Sequence, residues 1–99
     1  MRLSDDQIRA IKQITHQIAG ETAHIWVFGS RLDDTAFGGD LDLLLDLAET
    51  IEHPALIAAQ LSAKISRMML GRKVDVLISA PNLKHLPIHD IAFKEGIRL

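Results

Sequence analysis

The chain has 99 residues, with 11 basic and 13 acidic side chains and a formal net charge of −2. This length predicts one small domain spanning residues 1–99, and the charge lacks the basic excess of a general nucleic-acid binder. The absence of cysteine excludes disulfides and thiolate metal sites.

The first half of the sequence predicts one helix followed by two strands. Residues 4 to about 19 have an apolar stripe at helical spacing, and Ser4 with Gln7 forms a capping-box pattern at the start. The β-branched and aromatic run His24–Phe28 predicts a buried strand. Residues 41–47 are almost continuously leucine, which predicts a second strand buried on both faces.

The second half predicts a helix, a strand and a helical tail. Pro54 stands where a first helical residue belongs, and the apolar face that follows it stops near Gly71. The run Val74–Ser79 predicts the third strand. From about residue 82 the tail is predicted to be helical towards Ile97, with Pro87 interrupting or starting its last segment. This order predicts an α/β (α+β) fold in which a small mixed sheet packs against helices.

Acidic residues fall at the start of two of these strands. Asp40 and Asp42 are two residues apart, so they share one face at the start of the second strand. The helix between the second and third strands favours parallel pairing, which brings Asp75 beside them. If the first strand runs antiparallel to the second, it ends, at Gly29-Ser30, at the same end of the sheet as these acids. We therefore expect three carboxylates to converge opposite a glycine-serine turn.

This arrangement suits metal-dependent chemistry at phosphorus. Neighbouring carboxylates repel each other, and Mg²⁺ or Mn²⁺, which prefer oxygen ligands, would offset that repulsion. Two ions about 4 Å apart support in-line displacement at a phosphate. Glycine allows close backbone approach, and backbone N–H groups with a serine hydroxyl bind anions, so Gly29 and Ser30 suit a phosphate wall. The pattern predicts transfer of a nucleotidyl group from a nucleoside triphosphate to a hydroxyl.

The combined motif resembles a known family. Gly29-Ser30, a spacer of nine residues, Asp40-Leu41-Asp42 and the later Asp75 resemble the signature of the polymerase-β-like nucleotidyltransferase superfamily. The small size and the ending IAFKEGIRL are similar to the minimal (MNT-type) members. The resemblance covers essentially the whole chain and implies the nucleotidyltransferase fold.

The resemblance also implies the role of each motif residue. The acids would bind two Mg²⁺ ions and act in catalysis, and they are Asp40, Asp42 and Asp75. The triphosphate would be held by Gly29, Ser30 and Arg31. Minimal members often continue the Gly-Ser pair with a basic stretch, whereas this chain continues Arg31 with Leu32-Asp33-Asp34.

The same resemblance implies a protein partner. MNT-type proteins are similar to antitoxins that pair with all-helical HEPN ribonuclease toxins, and some transfer AMP to a toxin tyrosine. It implies ATP as the donor, a hydroxyl of an HEPN-type partner as the acceptor, and a homo- or hetero-oligomer. Two alternatives remain open. One is a binding module that neutralises its partner without chemistry, and the other is transfer to a small molecule.

Two further patterns bear on location and on metal binding. The N-terminus lacks the apolar core of a signal peptide and the apolar runs are too short to span a bilayer, so we expect a cytoplasmic protein without membrane contact. His85 and His89 are four residues apart, as in a helical metal pair. Pro87 separates them and no third ligand is near, which favours a structural or surface role.

Overall fold

A mixed four-stranded sheet organises the computed structural model, which describes residues 3–29 and 41–99. Three helices accompany the sheet in these residues, which agrees with the predicted α+β class and is consistent with a nucleotidyltransferase-like fold. In chain order the elements are α1 Asp5–Ala19, β1 His24–Phe28, β2 Leu41–Asp46, α2 Pro54–Met68, β3 Val74–Ser79, α3 Pro87–Glu95 and β4 Ile97–Arg98.

The strand order is β3-β2-β1-β4, and both predicted strand directions are confirmed. β1 runs antiparallel to β2, while β2 and β3 run parallel and are joined through α2. The parallel register pairs Leu41 with Val74 and Leu45 with Ile78. The first residues of β2 and β3 therefore lie side by side at the same end of the sheet.

Both faces of β2 are buried, as its leucines predict. Leu43 and Leu45 belong to the main core, where they meet Ile11 of α1 and Leu61 of α2. Leu44 points to the other face and is also fully buried. On that face, Trp26 of β1 packs edge-to-face against Phe93 of α3, with ring centroids 5.3 Å apart. α1 and α2 thus cover one face of the sheet and α3 covers the other.

The predicted capping box of α1 is confirmed. The backbone N–H of Gln7 donates to Ser4 Oγ at 3.1 Å, and the backbone N–H of Ser4 donates to Gln7 Oε1 at 2.9 Å. Gly20 ends the helix with φ of +96°. Pro54 is the first residue of α2, as predicted.

The last helix begins at Pro87, as predicted for the final segment, but the prediction of helix from residue 82 and up to Ile97 is wrong. The segment before α3 is held out of a helix by Asn82, whose side-chain amide exchanges two hydrogen bonds with the backbone of Ile51. After α3, Gly96 donates its N–H to Ala92 O, and a Cβ on Gly96 would clash with that same oxygen. The chain therefore leaves the helix at Gly96, and Ile97–Arg98 pairs with β1.

A buried histidine holds α3 against β3. His89 is only 3% exposed, its Nδ1 accepts the backbone N–H of Leu86 at 2.9 Å, and its Nε2 donates to Ile78 O at 2.8 Å. His85 is exposed, stacks on the His89 ring and contacts Asp90 at 2.6 Å. These contacts agree with the predicted structural or surface role of the two histidines.

Helix length and hydropathy also bear on membrane contact. Among the described residues, no helix combines the length and the apolar character needed to cross a bilayer.

We predict that His89→Leu destabilises the fold by about 2 kcal/mol, because it leaves the Ile78 carbonyl and the Leu86 N–H without their side-chain partner. His85→Leu should change stability by less than about 0.5 kcal/mol, because His85 is exposed. Urea unfolding of both variants measures the difference. Equal losses would show that the hydrogen bonds of His89 do not stabilise α3.

Candidate functional site

Two of the predicted acids lie side by side at the end of the sheet where β2 and β3 begin. Asp42 is the second residue of β2, Asp75 is the second residue of β3, and the parallel register pairs them directly. Paired residues of neighbouring strands are about 5 Å apart and their side chains point to the same face. The predicted convergence is therefore confirmed for Asp42 and Asp75. Asp40, the third predicted acid, lies outside the described residues.

Gly29 closes the site from the side of β1. Phe28, the last residue of β1, pairs with Asp42, and Gly29 follows it with φ of +76°. A Cβ on Gly29 would clash with Asp42 Oδ2 and would lie 3.2 Å from Asp42 Cγ. The glycine therefore makes room for the carboxylate. Ser30 and Arg31, the other predicted nucleotide-binding residues, lie outside the described residues.

The two acids form one wall of an open cavity of about 270 Å³. Its remaining lining is apolar and consists of Phe28, Val76, Leu77 and Ile88. Phe28 pairs with Asp42, and Leu77 follows Asp75 by two residues in β3. Both side chains therefore lie on the same face as the acids. Ile88 comes from the first turn of α3. The site therefore combines a charged wall with an apolar wall.

Sequence reasoning did not identify this apolar wall. The two-residue period of the strands could have found Phe28 and Leu77, because each follows from the register of the acids. No sequence signal could have found Ile88, because its position depends on how α3 packs over the sheet. The space that Gly29 leaves for the Asp42 carboxylate was not predicted either, because the sequence motif assigns the glycine only to phosphate binding.

The acids differ in exposure. Asp42 is half-buried between β1 and β3, whereas Asp75 is exposed on the edge strand. Asp75 is therefore the carboxylate that a molecule arriving from solvent meets first. Asp46 also lies on this face of β2, but it is at the opposite end of the strand, where it pairs with His24 and Ser79.

The donor set suits a hard divalent cation. Asp42 and Asp75 offer carboxylate oxygens, which Mg²⁺ and Mn²⁺ prefer, and Mg²⁺ commonly binds through one or two carboxylates together with phosphate and water. Within residues 3–29 and 41–99, no three His, Cys, Asp or Glu side chains are grouped closely enough to hold a metal. The described pair therefore supplies two ligands, and the sequence predicts Asp40 as the third.

Comparison of the chain with protein-family models and with curated proteins gave no match. The interpretation of the site therefore depends on the chemistry and geometry of its own residues.

We predict that Gly29→Ala destabilises the protein more than Gly71→Ala does. Both glycines have positive φ, which costs a non-glycine residue about 1 kcal/mol, but only Gly29 faces a carboxylate. Relieving the clash requires the Asp42 side chain to rotate, which should add about 0.5–1 kcal/mol. Urea unfolding gives the difference, and the excess should disappear when Asp42 is first replaced by Ala. An excess that persists without the carboxylate would contradict this packing.

We also predict that Asp75→Asn stabilises the metal-free protein by up to about 1 kcal/mol. The substitution removes one of two like charges that face each other across neighbouring strands. Addition of Mg²⁺ should raise the melting temperature of the wild type more than that of the variant. Thermal unfolding at low salt, with and without Mg²⁺, measures both effects. A less stable metal-free variant would instead show that Asp75 has a structural partner.

Proposed function

We propose that this chain is a Mg²⁺-dependent nucleotidyltransferase that transfers AMP from ATP to a hydroxyl of a partner protein. The observation that carries the proposal is the direct pairing of Asp42 with Asp75, with Gly29 packed against the Asp42 carboxylate. Like charges that face each other across neighbouring strands repel, so the juxtaposition of these two acids favours a functional role. The resemblance of the Gly-Ser and Asp-x-Asp motif to polymerase-β-like nucleotidyltransferases supports the same chemistry.

Each residue has a role in this proposal. Asp42 and Asp75, together with Asp40 as the sequence predicts, would hold Mg²⁺. When bound, the metal would neutralise phosphate charge and order the triphosphate. Gly29 leaves room for the Asp42 carboxylate and keeps it at the edge of the cavity. Ser30 and Arg31 are proposed to contact the triphosphate on the strength of the sequence motif alone.

The proposed reaction is a single displacement at the α-phosphorus, in which one bond forms and one breaks. The acceptor hydroxyl oxygen forms a bond to the α-phosphorus, and the bond from that phosphorus to the oxygen bridging the β-phosphate breaks. Pyrophosphate leaves with the electron pair of that bond. The hydroxyl proton passes to the carboxylate of Asp75, which is exposed. AMP is then joined to the acceptor through a phosphodiester bond.

A protein acceptor is favoured by the surface next to the cavity. Ile88 and Ile91 are one helical turn apart on α3 and are 45% and 48% exposed. Adjacent exposed apolar side chains are typical of protein contact surfaces. The resemblance to MNT-type antitoxins suggests an HEPN-type helical partner. The same surface also favours a second candidate, a binding module that neutralises this partner without transferring a nucleotide.

We predict that this chain, given Mg²⁺ and ATP labelled at the α-phosphate, transfers the label to its HEPN-type partner protein, for which the product of the neighbouring gene is the first candidate to test. Asp42→Asn and Asp75→Asn should each lower the transfer rate by about a hundredfold or more. Asp46→Asn is the matched control, because it removes the same group from the same face at the other end of β2. Its transfer rate should equal that of the wild type.

Three outcomes decide between the candidate functions. Equal labelling by the wild type and Asp42→Asn would overturn the proposed active site. Absence of labelling, with a stable complex and a neutralised partner in both, would identify the binding module instead. Labelling that depends on Asp42 and Asp75 but not on Asp46 would support the transferase.

A further inference from the structure

One further residue belongs to this face of the sheet. The backbone N–H of Leu41 donates to Lys73 O at 2.9 Å, which is the ladder bond that precedes the pairing of Leu41 with Val74. Lys73 therefore continues the ladder of β3 by one residue. Side chains two residues apart in a strand share a face, so Lys73 lies on the face of Asp75, about 7 Å before it along the chain.

Along this face of β3, a cation, a carboxylate and an apolar side chain therefore follow one another. Lys73 supplies an exposed cation, Asp75 an exposed carboxylate, and Leu77 an apolar side chain in the wall of the cavity. Asp42 lies beside Asp75 in the middle of this order. Lys73 is thus exposed to solvent at the start of β3, and Leu77 lies in the wall of the cavity beside α3.

From this order we infer that Lys73 binds the β- and γ-phosphates of the nucleotide and neutralises the departing pyrophosphate. The inference rests on the proposed function. An in-line displacement requires the attacking oxygen and the leaving group on opposite sides of the α-phosphorus. With the α-phosphate at Asp42 and Asp75, pyrophosphate leaves towards Lys73. The acceptor hydroxyl then enters from the apolar side, where Ile88 and Leu77 line the cavity.

The charge of Lys73 should act in opposite directions on two ligands. A cation near the carboxylates repels a divalent metal that binds alone, because both are positive. The same cation attracts a polyphosphate, whose charge is negative. A residue that only maintained the shape of the site would affect both ligands in the same direction, so the two affinities together isolate the role of Lys73.

Lys73→Gln is the variant that tests this inference. Its affinity for Mn²⁺ alone, from electron paramagnetic resonance of the free ion, should rise about threefold at low salt. Its affinity for an ATP analogue with a methylene between the α- and β-phosphates, measured calorimetrically with Mg²⁺, should fall about tenfold. Its affinity for AMP, which lacks the two outer phosphates, should not change.

Two control variants accompany the measurement. Lys73→Arg retains the charge and should bind the analogue within about threefold of the wild type. Lys12→Gln removes an exposed cation from α1, on the far side of the sheet, and should change none of the three affinities. Circular dichroism melting of each variant shows whether the fold is retained.

The inference is overturned if Lys73→Gln leaves analogue binding unchanged, weakens AMP binding to the same extent, or weakens Mn²⁺ binding. It is also overturned if the wild type does not bind the analogue. If the wild type binds the analogue but labels no partner, the proposed transfer fails, while the three affinities still decide the role of Lys73.

Discussion

The parallel register between β2 and β3 is the constraint on which the site depends. It pairs Asp42 with Asp75, and it is fixed by leucines on both faces of β2 rather than by the acids themselves. A slip of one residue would turn Asp42 towards the core that α1 and α2 cover. Because Leu43 and Leu45 fill that core and Leu44 fills the space beneath α3, such a slip would also misplace fully buried side chains on both sides of the sheet. The core therefore holds two like charges in a position that their mutual repulsion disfavours.

The two walls of the cavity have different physical origins. The charged wall follows from sheet register, because Asp42 and Asp75 are neighbours in a hydrogen-bonded ladder. The apolar wall depends on tertiary packing, because Ile88 reaches the cavity only when α3 lies across the sheet. His89, the next residue, bonds to Ile78 O and so fixes the first turn of α3 against β3. Local opening of that turn would remove the apolar wall while leaving the pair of acids intact.

The sequence predicted most of what local patterns determine and less of what packing determines. β1 and β3 have the predicted bounds because each is a short apolar run with clear ends, and α1 begins at the predicted capping box. β4 was missed because Ile97–Arg98 is too short to show a period and is a strand only through its pairing with β1. In the site, the Asp42–Asp75 pair was predictable from the crossover rule, whereas Ile88 and the contact of Gly29 with Asp42 required the folded chain. Ser30, Arg31 and Asp40 lie outside the described residues, so their roles stay predictions.

The position of α3 also explains why the acids are accessible while the rest of their face is covered. On β2 the same face carries Asp42 and then Leu44, and Leu44 is fully buried whereas Asp42 is half-buried. α3 begins at Pro87, and its first turn, which contains Ile88, meets the sheet beside the acids. The helix therefore ends its coverage of the sheet at the point where the strands change from apolar to acidic residues. A proline at the first helical position fixes that boundary, because its backbone is already constrained for helix and offers no N–H that would need a partner. The start of α3 thus marks the boundary between the buried apolar part of this face and the part that carries the acids.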